Sequence, residues 1–329
     1  MEKTNKKPES AAMHGTLVQV AHLYYDEGLS QQQIADQLDV SRSLIAQYLI
    51  RAREEGIVRI QIMDPSHTCT GLADVVKKKT GVKSVTVIPN PHGSSSLTLR
   101  ALASAAGDFI TNNLKEGDTL GMAWGRTTSA VVDMLKPAPV INVEIVPLMG
   151  ECGQAGMHSQ MSRLVMLAAE RLKATPYFLS LPMVLSTATL RGALIKESAV
   201  GDVIERWNYV DFACVGIGVV PPVPGMVVYI GEEKIPELVK AGAVGDICGI
   251  YYDRDGNIIP SGLEQRIIRI SVEQLQNMST VTAVACGEEK AGAVLGALRT
   301  GLVTDLFIDQ ALAEHIQSRM KSPHTGDTR

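Results

Sequence analysis

The stretch Leu29–Ile57, LSQQQIADQLDVSRSLIAQYLIRAREEGI, decides how the first part of this chain is read. It holds two short runs in which apolar residues return at helical spacing. Ile34, Ala35 and Leu38 share a face of the first, and Leu44, Ile45, Tyr48 and Leu49 share a face of the second. Each run follows a residue that can cap it. Ser30 and Gln33 have capping-box spacing: the hydroxyl accepts from the Gln33 amide while the Gln33 side chain reaches back. After the short Asp39-Val40 link, Ser41 caps a second helix expected to run to about Glu55. The small Ala35 lets two steeply crossing helices approach closely.

Helices that merely build a core would explain the apolar faces. A solvated polar face would explain the set left on the other side of the second helix near its N-terminus, Arg42, Ser43 and Gln47 with Ala46 among them, but two caps and a small residue at the crossing, taken with that face, weigh against ordinary packed helices. A recognition helix presents base-reading side chains there, arginine suited to guanine and glutamine to adenine. A helix-turn-helix is therefore expected, with Ser30, Gln32, Ser41, Arg42, Ser43, Gln47 and Arg51 as its DNA-facing residues. Upstream, TLVQVAHLYYDEG puts Leu17, Val20, Ala21 and Tyr24 at helical spacing, and Gly28 can end that helix. Downstream, GIVRIQI (56–62) alternates apolar and polar residues and reads as a strand or small wing.

At 329 residues the chain suits one small and one large domain. The expected division is a disordered tail over 1–12, a helix-turn-helix domain over 13–64, an effector-binding and oligomerisation domain over 65–320, and a C-terminal tail over 321–329. No charge-free apolar run reaches about 18 residues, which argues against a membrane span, and the polar N-terminus lacks a signal region. Five scattered cysteines without CxxC spacing argue against a disulfide framework or zinc site and suit a cytoplasmic protein. The net charge of −4 neither announces nor excludes nucleic acid. Met1–Asp64 carries slightly more acids than bases, yet Arg42, Arg51, Arg53 and Arg59 fall in one short window, and binding depends on the local face.

From about Ser66 the texture changes. Strand-length apolar runs (SVTVIP, DTLGMAW, VEIVPLMG, PYFLSLP, FACVGIG, DICGIYYD, TAVACG) alternate with helical stretches such as Leu99–Leu114, Ser162–Leu172 and Lys290–Arg299. That alternation predicts a large Rossmann-like α/β domain, its mainly parallel sheet covered on both faces. Thr68–Thr80 reads as a connecting helix. Ligands in such folds bind beyond the C-terminal ends of the strands. In LGMAWGRTTSAVVDML (120–135) a strand ends at Trp124, Gly125 turns the chain, and Thr127, Thr128 and Ser129 open a helix. Free amides and hydroxyls there make either an anion site suited to phosphate or a plain capped turn. Gly216 and Gly218 end another strand and are expected among the effector-binding residues, although a tight turn alone would also explain them.

Lys290, at the start of a helix, is an unfavourable cation unless an anion lies near; together with the first turn it could clamp a phosphate. Asp246, in GAVGDICG, can accept from sugar hydroxyls or cap a helix, and Gln160 can reach a ligand hydroxyl or simply open its helix. Asp253, Asp255 and Gly256 read as a hairpin turn rather than a calcium loop. No HExxH or GxSxG motif is present. No catalytic residue, metal or cofactor is expected.

Taken together, these blocks resemble the SorC family of bacterial sugar-responsive transcription regulators. The resemblance is carried by YYDEGLSQQQIADQLDVSRSLIAQYLIRAREEGIVRIQI, GMAWGRTT, FACVGIG, GAVGDICGIYYDRDGN and GEEKAGAVLGALRTGLVTDLFIDQALAEHI, and spans about Gly15 to Ile316. It implies a small winged helix-turn-helix domain followed by a sensor domain related to sugar-phosphate isomerases and deaminases. It also implies a phosphorylated sugar or sugar-like effector. The phosphate site would comprise Gly125, Arg126, Thr127, Thr128 and Lys290, with Asp246 on sugar hydroxyls and Gln160 lining the same pocket. Two positions depart from the family pattern: Ser162 stands where some members carry asparagine, and Arg126 adds a charge within the phosphate loop that many members lack. The leading expectation is a ligand-controlled regulator of a carbohydrate operon acting on operator DNA as a homodimer or homotetramer, with repression relieved by ligand. The competing one is an active sugar-phosphate isomerase or deaminase, for which only Asp246 and Glu288 could supply a general base.

Overall fold

The computed structural model describes residues 7–58, 69–90, 95–152, 160–221, 230–231 and 234–321. The chain forms two compact units, Met1–Pro65 and Ser66–Arg329. The first holds three helices, α1 (Lys7–Tyr25), α2 (Gln31–Leu38) and α3 (Arg42–Glu54). Helix α1 thus starts inside the stretch expected to be a disordered tail. Pro8 sits in its first turn, where a missing N–H costs nothing, and the alanines that follow favour helix. Gly28 adopts φ 71° as the chain leaves α1, and Leu29 N–H donates to the Leu23 carbonyl at 3.0 Å.

Val20, Leu23, Ile34, Ala35, Ile45 and Leu49 bury one another between the three helices. Leu17, Ala21 and Ala52 form a smaller cluster on which Ile57 and Val58 pack. Val58 N–H donates to the Ala52 carbonyl, turning the chain back. Arg59 and the rest of the expected wing, 59–62, lie outside the described residues.

The second unit opens with α4 (Thr70–Thr80), close to the expected connecting helix. Its strands are β1 (Ser84–Ile88), β2 (Thr119–Met122), β3 (Glu144–Pro147), β4 (Thr175–Pro176), β5 (Phe212–Gly216), β6 (Gly218–Val219), β7 (Ala243–Ile247), β8 (Ile250–Asp253), β9 (Ile258–Ile259), β10 (Thr280–Ala285) and β11 (Asp305–Asp309). Seven pair in the order β1-β11-β10-β5-β2-β3-β4, every pairing parallel. All residues of β2 and β11 are buried, so both faces of the sheet are covered, as a parallel sheet requires. The covering helices include α5 (Ser95–Asn113), α6 (Arg126–Met134) and α7 (Met161–Leu172), with α8 (Ala188–Leu194) and α9 (Ser198–Arg206) before β5. After it come α10 (Lys234–Lys240), α11 (Val272–Gln276), α12 (Ala291–Arg299) and α13 (Gln310–Lys321).

From β2 the chain moves outward to β3 and β4; from β5 it moves the opposite way, to β10 and β11. The strand order therefore reverses between β2 and β5, and that reversal opens a crevice at their C-terminal ends.

Three sequence expectations change. PYFLSLP contributes only Pro176 to the sheet, because its prolines remove ladder donors and confine it to the edge. DICGIYYD is a hairpin rather than one strand: Cys248 (φ 53°) and Gly249 (φ 71°) supply the two positive φ angles that a tight two-residue hairpin turn needs. It belongs to a second, antiparallel sheet, β6-β7-β8-β9. Strand β11 is not among the runs read as strands, since aspartates at both ends disguise it. The turn at Asp253 to Asn257 is a hairpin as expected, closed by Asp253 Oδ1 accepting from Asp255 and Asn257.

Candidate functional site

In the first unit, local chemistry places the polar face. Ser30 Oγ accepts from Gln33 N–H at 3.3 Å, and Ser30 N–H donates to Gln33 Oε1 at 2.9 Å. Ser41 Oγ accepts from Leu44 N–H at 3.2 Å and lies 2.9 Å from Ser43 Oγ. Ser30, Gln32, Ser41, Arg42, Ser43, Gln47 and Arg51 are all exposed. Gln32 Nε2 donates to Asp36 and Arg51 Nε to Glu55; both are exposed local pairs, weak enough for another partner to displace. The structure adds Ile50, 53% exposed on the same face of α3. An isoleucine within a run of apolar letters looks like core, and only the phase of the helix against its buried side exposes it.

In the second unit the crevice between β2 and β5 gathers most of the expected effector residues. Gly125 (φ 148°) turns the chain from β2 into α6. Thr127 and Thr128 are buried at the helix start. Thr128 Oγ1 donates to the Gly125 carbonyl at 3.0 Å and Ser129 N–H donates to the same oxygen at 2.9 Å, which fixes the turn. Thr127 Oγ1 lies so near Gly216 at the end of β5 that a Cβ there would come within 3.1 Å. Gly218 has a harder constraint. It pairs with Asp246 across β6 and β7, and a Cβ on it would collide with the Asp246 carboxylate.

Asp246 is buried, 8% exposed, and accepts from Gly249 N–H at 2.9 Å. Burial holds its carboxyl above the usual aspartate range, partly opposed by that hydrogen bond and by the charges of Lys290 and Arg269. Lys290 leaves the 3₁₀ turn Glu288–Lys290 and donates Nζ to the Ile217 carbonyl at 2.8 Å. Burial, then the neighbouring Arg126 guanidinium, holds its ammonium below the usual lysine range. Asp309, at the end of β11, accepts from Gly287 N–H at 2.9 Å and so anchors the turn that carries Lys290. One small crevice thus holds a helix N-terminus with two hydroxyls, two cations and a carboxylate. Such a set can bind an anion and accept from hydroxyls beside it.

Gln160 is brought less far. It is exposed and its side chain does not cap α7. The side chain that engages α7 is Glu151: Oε2 accepts from Met161 N–H at 2.8 Å, Oε1 from Ser162 N–H at 2.9 Å, and Ser162 Oγ also donates to Oε1. A carboxylate at a helix N-terminus satisfies its free amides and dipole. It also gives Ser162 a structural partner. Glu151 follows a strand across a gap in sequence, so no local signal marks it. Residues 153–159, between the two, lie outside the described residues. Of the two carboxylates considered for catalysis, Glu288 is exposed and Asp246 is committed to the Gly249 turn. Among the described residues no group of histidine, cysteine or acidic side chains is arranged to hold a metal, and no helix is long and apolar enough to cross a membrane.

Comparison with known proteins matches residues 64–317 to the Sugar-bind family model, a sugar-binding domain. The chain is 30% identical over 298 residues to the deoxyribonucleoside regulator of Bacillus subtilis, covering 90% of this chain and 95% of that one. It is 28% identical to the sorbitol operon regulator of Klebsiella pneumoniae, covering 91% and 96%. The crystal structure of that full-length sorbitol operon regulator, SorC, superposes with a TM-score of 0.76 at 27% identity, covering 92% of this chain and 98% of the other. These relatives are transcriptional regulators, not enzymes.

Proposed function

The chain belongs to the SorC family of sugar-responsive transcriptional regulators, and from that premise we propose that it binds operator DNA through α2 and α3 under the control of a phosphorylated sugar held in the β2–β5 crevice. The observation that carries the effector reading is the convergence of Lys290, Arg126 and the Thr127–Thr128 helix start beside buried Asp246. A phosphate would take the free amides of α6 and the two cations, while Asp246 would accept from hydroxyls of the sugar. The exposed set on α3 supports the DNA reading: Arg42, Ser43 and Gln47 would meet base edges, and Ser30, Gln32, Ser41 and Arg51 the flanking phosphates.

In this reading two copies pair so that their recognition helices meet half-sites on one face of the duplex, as a homodimer or homotetramer in the cytoplasm. The effector shifts the population between DNA-competent and incompetent arrangements, which requires unequal affinity for the two. Repression relieved by the effector is the proposed sign.

The test is fluorescence anisotropy of the full chain on the DNA upstream of its own gene, at stated salt, with and without a panel of sugar phosphates. Sequence-preferring binding altered by one phosphate ester is the expected result. Binding that no phosphate ester alters would refute the effector reading, and no sequence preference under any ligand would refute the DNA reading.

A further inference from the structure

A second cation, half-buried Arg269, lies near Asp246. Arg269 forms a bridge with Met149, just beyond the C-terminal end of β3, and its neighbour Ile268 accepts from Gly150 N–H at 3.0 Å. Its side chain runs along the hairpin turn at 248–249: a Cβ on Gly249 would lie 3.7 Å from Arg269 Cδ, and Gly249 is the residue whose N–H holds the Asp246 carboxylate. Arg269 donates Nη1 to the carbonyl of Ile270 at 2.9 Å. Its Nε–H is buried without a partner among the described residues. Burial holds the guanidinium below its usual range, with Cys248, Glu264, Tyr251 and Asp246 opposing.

A guanidinium is always charged, and a donor left unpaired inside a protein costs free energy until an acceptor arrives. The hydrogen-bonding capacity of Arg269 is therefore underused at the edge of the crevice. Lys290 follows β10 and Arg269 pairs with Met149 just beyond β3, and in the sheet order β5 and β2 lie between those two strands. Both favour the charged form of the Asp246 carboxylate, and Arg269 runs beside Gly249, whose N–H holds that carboxylate, so a small molecule on Asp246 has both cations near it.

We propose that Arg269 is a second anion-recognising residue of the effector pocket, so that the effector is acidic at both ends: a phosphorylated polyol whose far end carries a carboxylate or a second phosphate. This rests on the phosphate site proposed above and adds to it the chemistry of the opposite end. The phosphate at Thr127, Thr128 and Lys290 fixes one end, Asp246 accepts from hydroxyls, and Arg269 turns toward the second acidic group and pairs its idle donors with it.

The test compares three probes built on one carbon skeleton: glucose 6-phosphate, glucose 1,6-bisphosphate and 6-phosphogluconate. Calorimetric titration of each into the full-length protein, wild type and Arg269→Met, reads the effect. One or both doubly acidic probes are expected to bind about 10- to 100-fold tighter than glucose 6-phosphate, the worth of one charged hydrogen-bond set. Arg269→Met should erase that preference, lowering the affinity of the doubly acidic probes far more than that of glucose 6-phosphate. Which doubly acidic probe gains tells carboxylate from phosphate. No preference in the wild type, or an equal loss for all three probes in the variant, overturns the role of Arg269 and leaves the phosphate site standing. Failure of all three probes to bind, with Lys290→Met indistinguishable from wild type, overturns the phosphate site and this inference with it. Should Arg269→Met not fold, Arg269→Lys keeps the charge without the planar fork and is expected to retain only part of the preference; full retention would overturn the proposal.

Discussion

At the residue scale, three side chains, Thr128, Lys290 and Asp246, and one missing side chain, at Gly218, govern the crevice. Thr128→Val and Lys290→Met remove a hydroxyl and a cation from the proposed phosphate clamp. Each should abolish the effector's influence on DNA binding while operator affinity without effector stays at the wild-type level, measured by anisotropy in both conditions. Gly218→Ala would drive a methyl into the Asp246 carboxylate; overpacking of this kind costs about 1–3 kcal/mol, which urea denaturation would read. Asp246 itself carries a pH signature. Burial raises its folded pKa, so the folded state holds that proton more tightly than the unfolded chain. Its contribution is favourable at low pH and is lost as pH rises from the usual aspartate value through the folded one. Asp246→Asn should therefore raise the thermal midpoint of the ligand-free protein at neutral pH, flatten that pH dependence, and weaken effector binding. A lower midpoint at neutral pH would show that its charged form is held favourably after all.

At the element scale, α3 is both a packed helix and a presented surface. Its buried stripe, Ile45, Leu49 and Ala52, fixes the rotation that leaves Arg42, Gln47 and Ile50 outside. Arg42→Ala should weaken operator binding by about 1–3 kcal/mol if it reads a base, with the loss concentrated at one base pair in a panel of operator variants. Uniform weakening across all variants would assign it to phosphate instead. Ser41→Ala removes the cap on Leu44 N–H, worth about 0.5–2 kcal/mol of stability in the first unit. At the start of α7 the structure separates two candidates that look alike in sequence. Glu151→Ala should destabilise the second unit measurably in thermal unfolding, whereas Gln160→Ala, an exposed position, should leave the midpoint where it is.

At the scale of the whole molecule, the chain's two units have separate apolar cores. The proposed effector site draws only on residues of the second. A fragment spanning Ser66–Arg329 should bind the effector with the affinity of the full chain and show no sequence-preferring DNA binding. A large loss of effector affinity would mean that the first unit contributes to the site. Operator binding by the full chain should weaken as salt rises, with a slope set by the number of phosphates contacted.

The sequence by itself determined the helix-turn-helix, its two serine caps, the parallel α/β class and the Gly125–Thr128 turn. These follow from periodicity, capping and glycine placement, which act over a few residues and can be read within one window. The tertiary structure alone decided which side chains meet in the crevice. Asp246 reaches Gly218 because an antiparallel sheet, hidden in what reads as one strand, folds back onto the end of β5. Glu151 rather than Gln160 engages α7, and Arg269 pairs with Met149 more than a hundred residues before it. Those neighbours come from strand order and long-range pairing, and pairing depends on burying whole elements against one another, which no short stretch of the chain encodes.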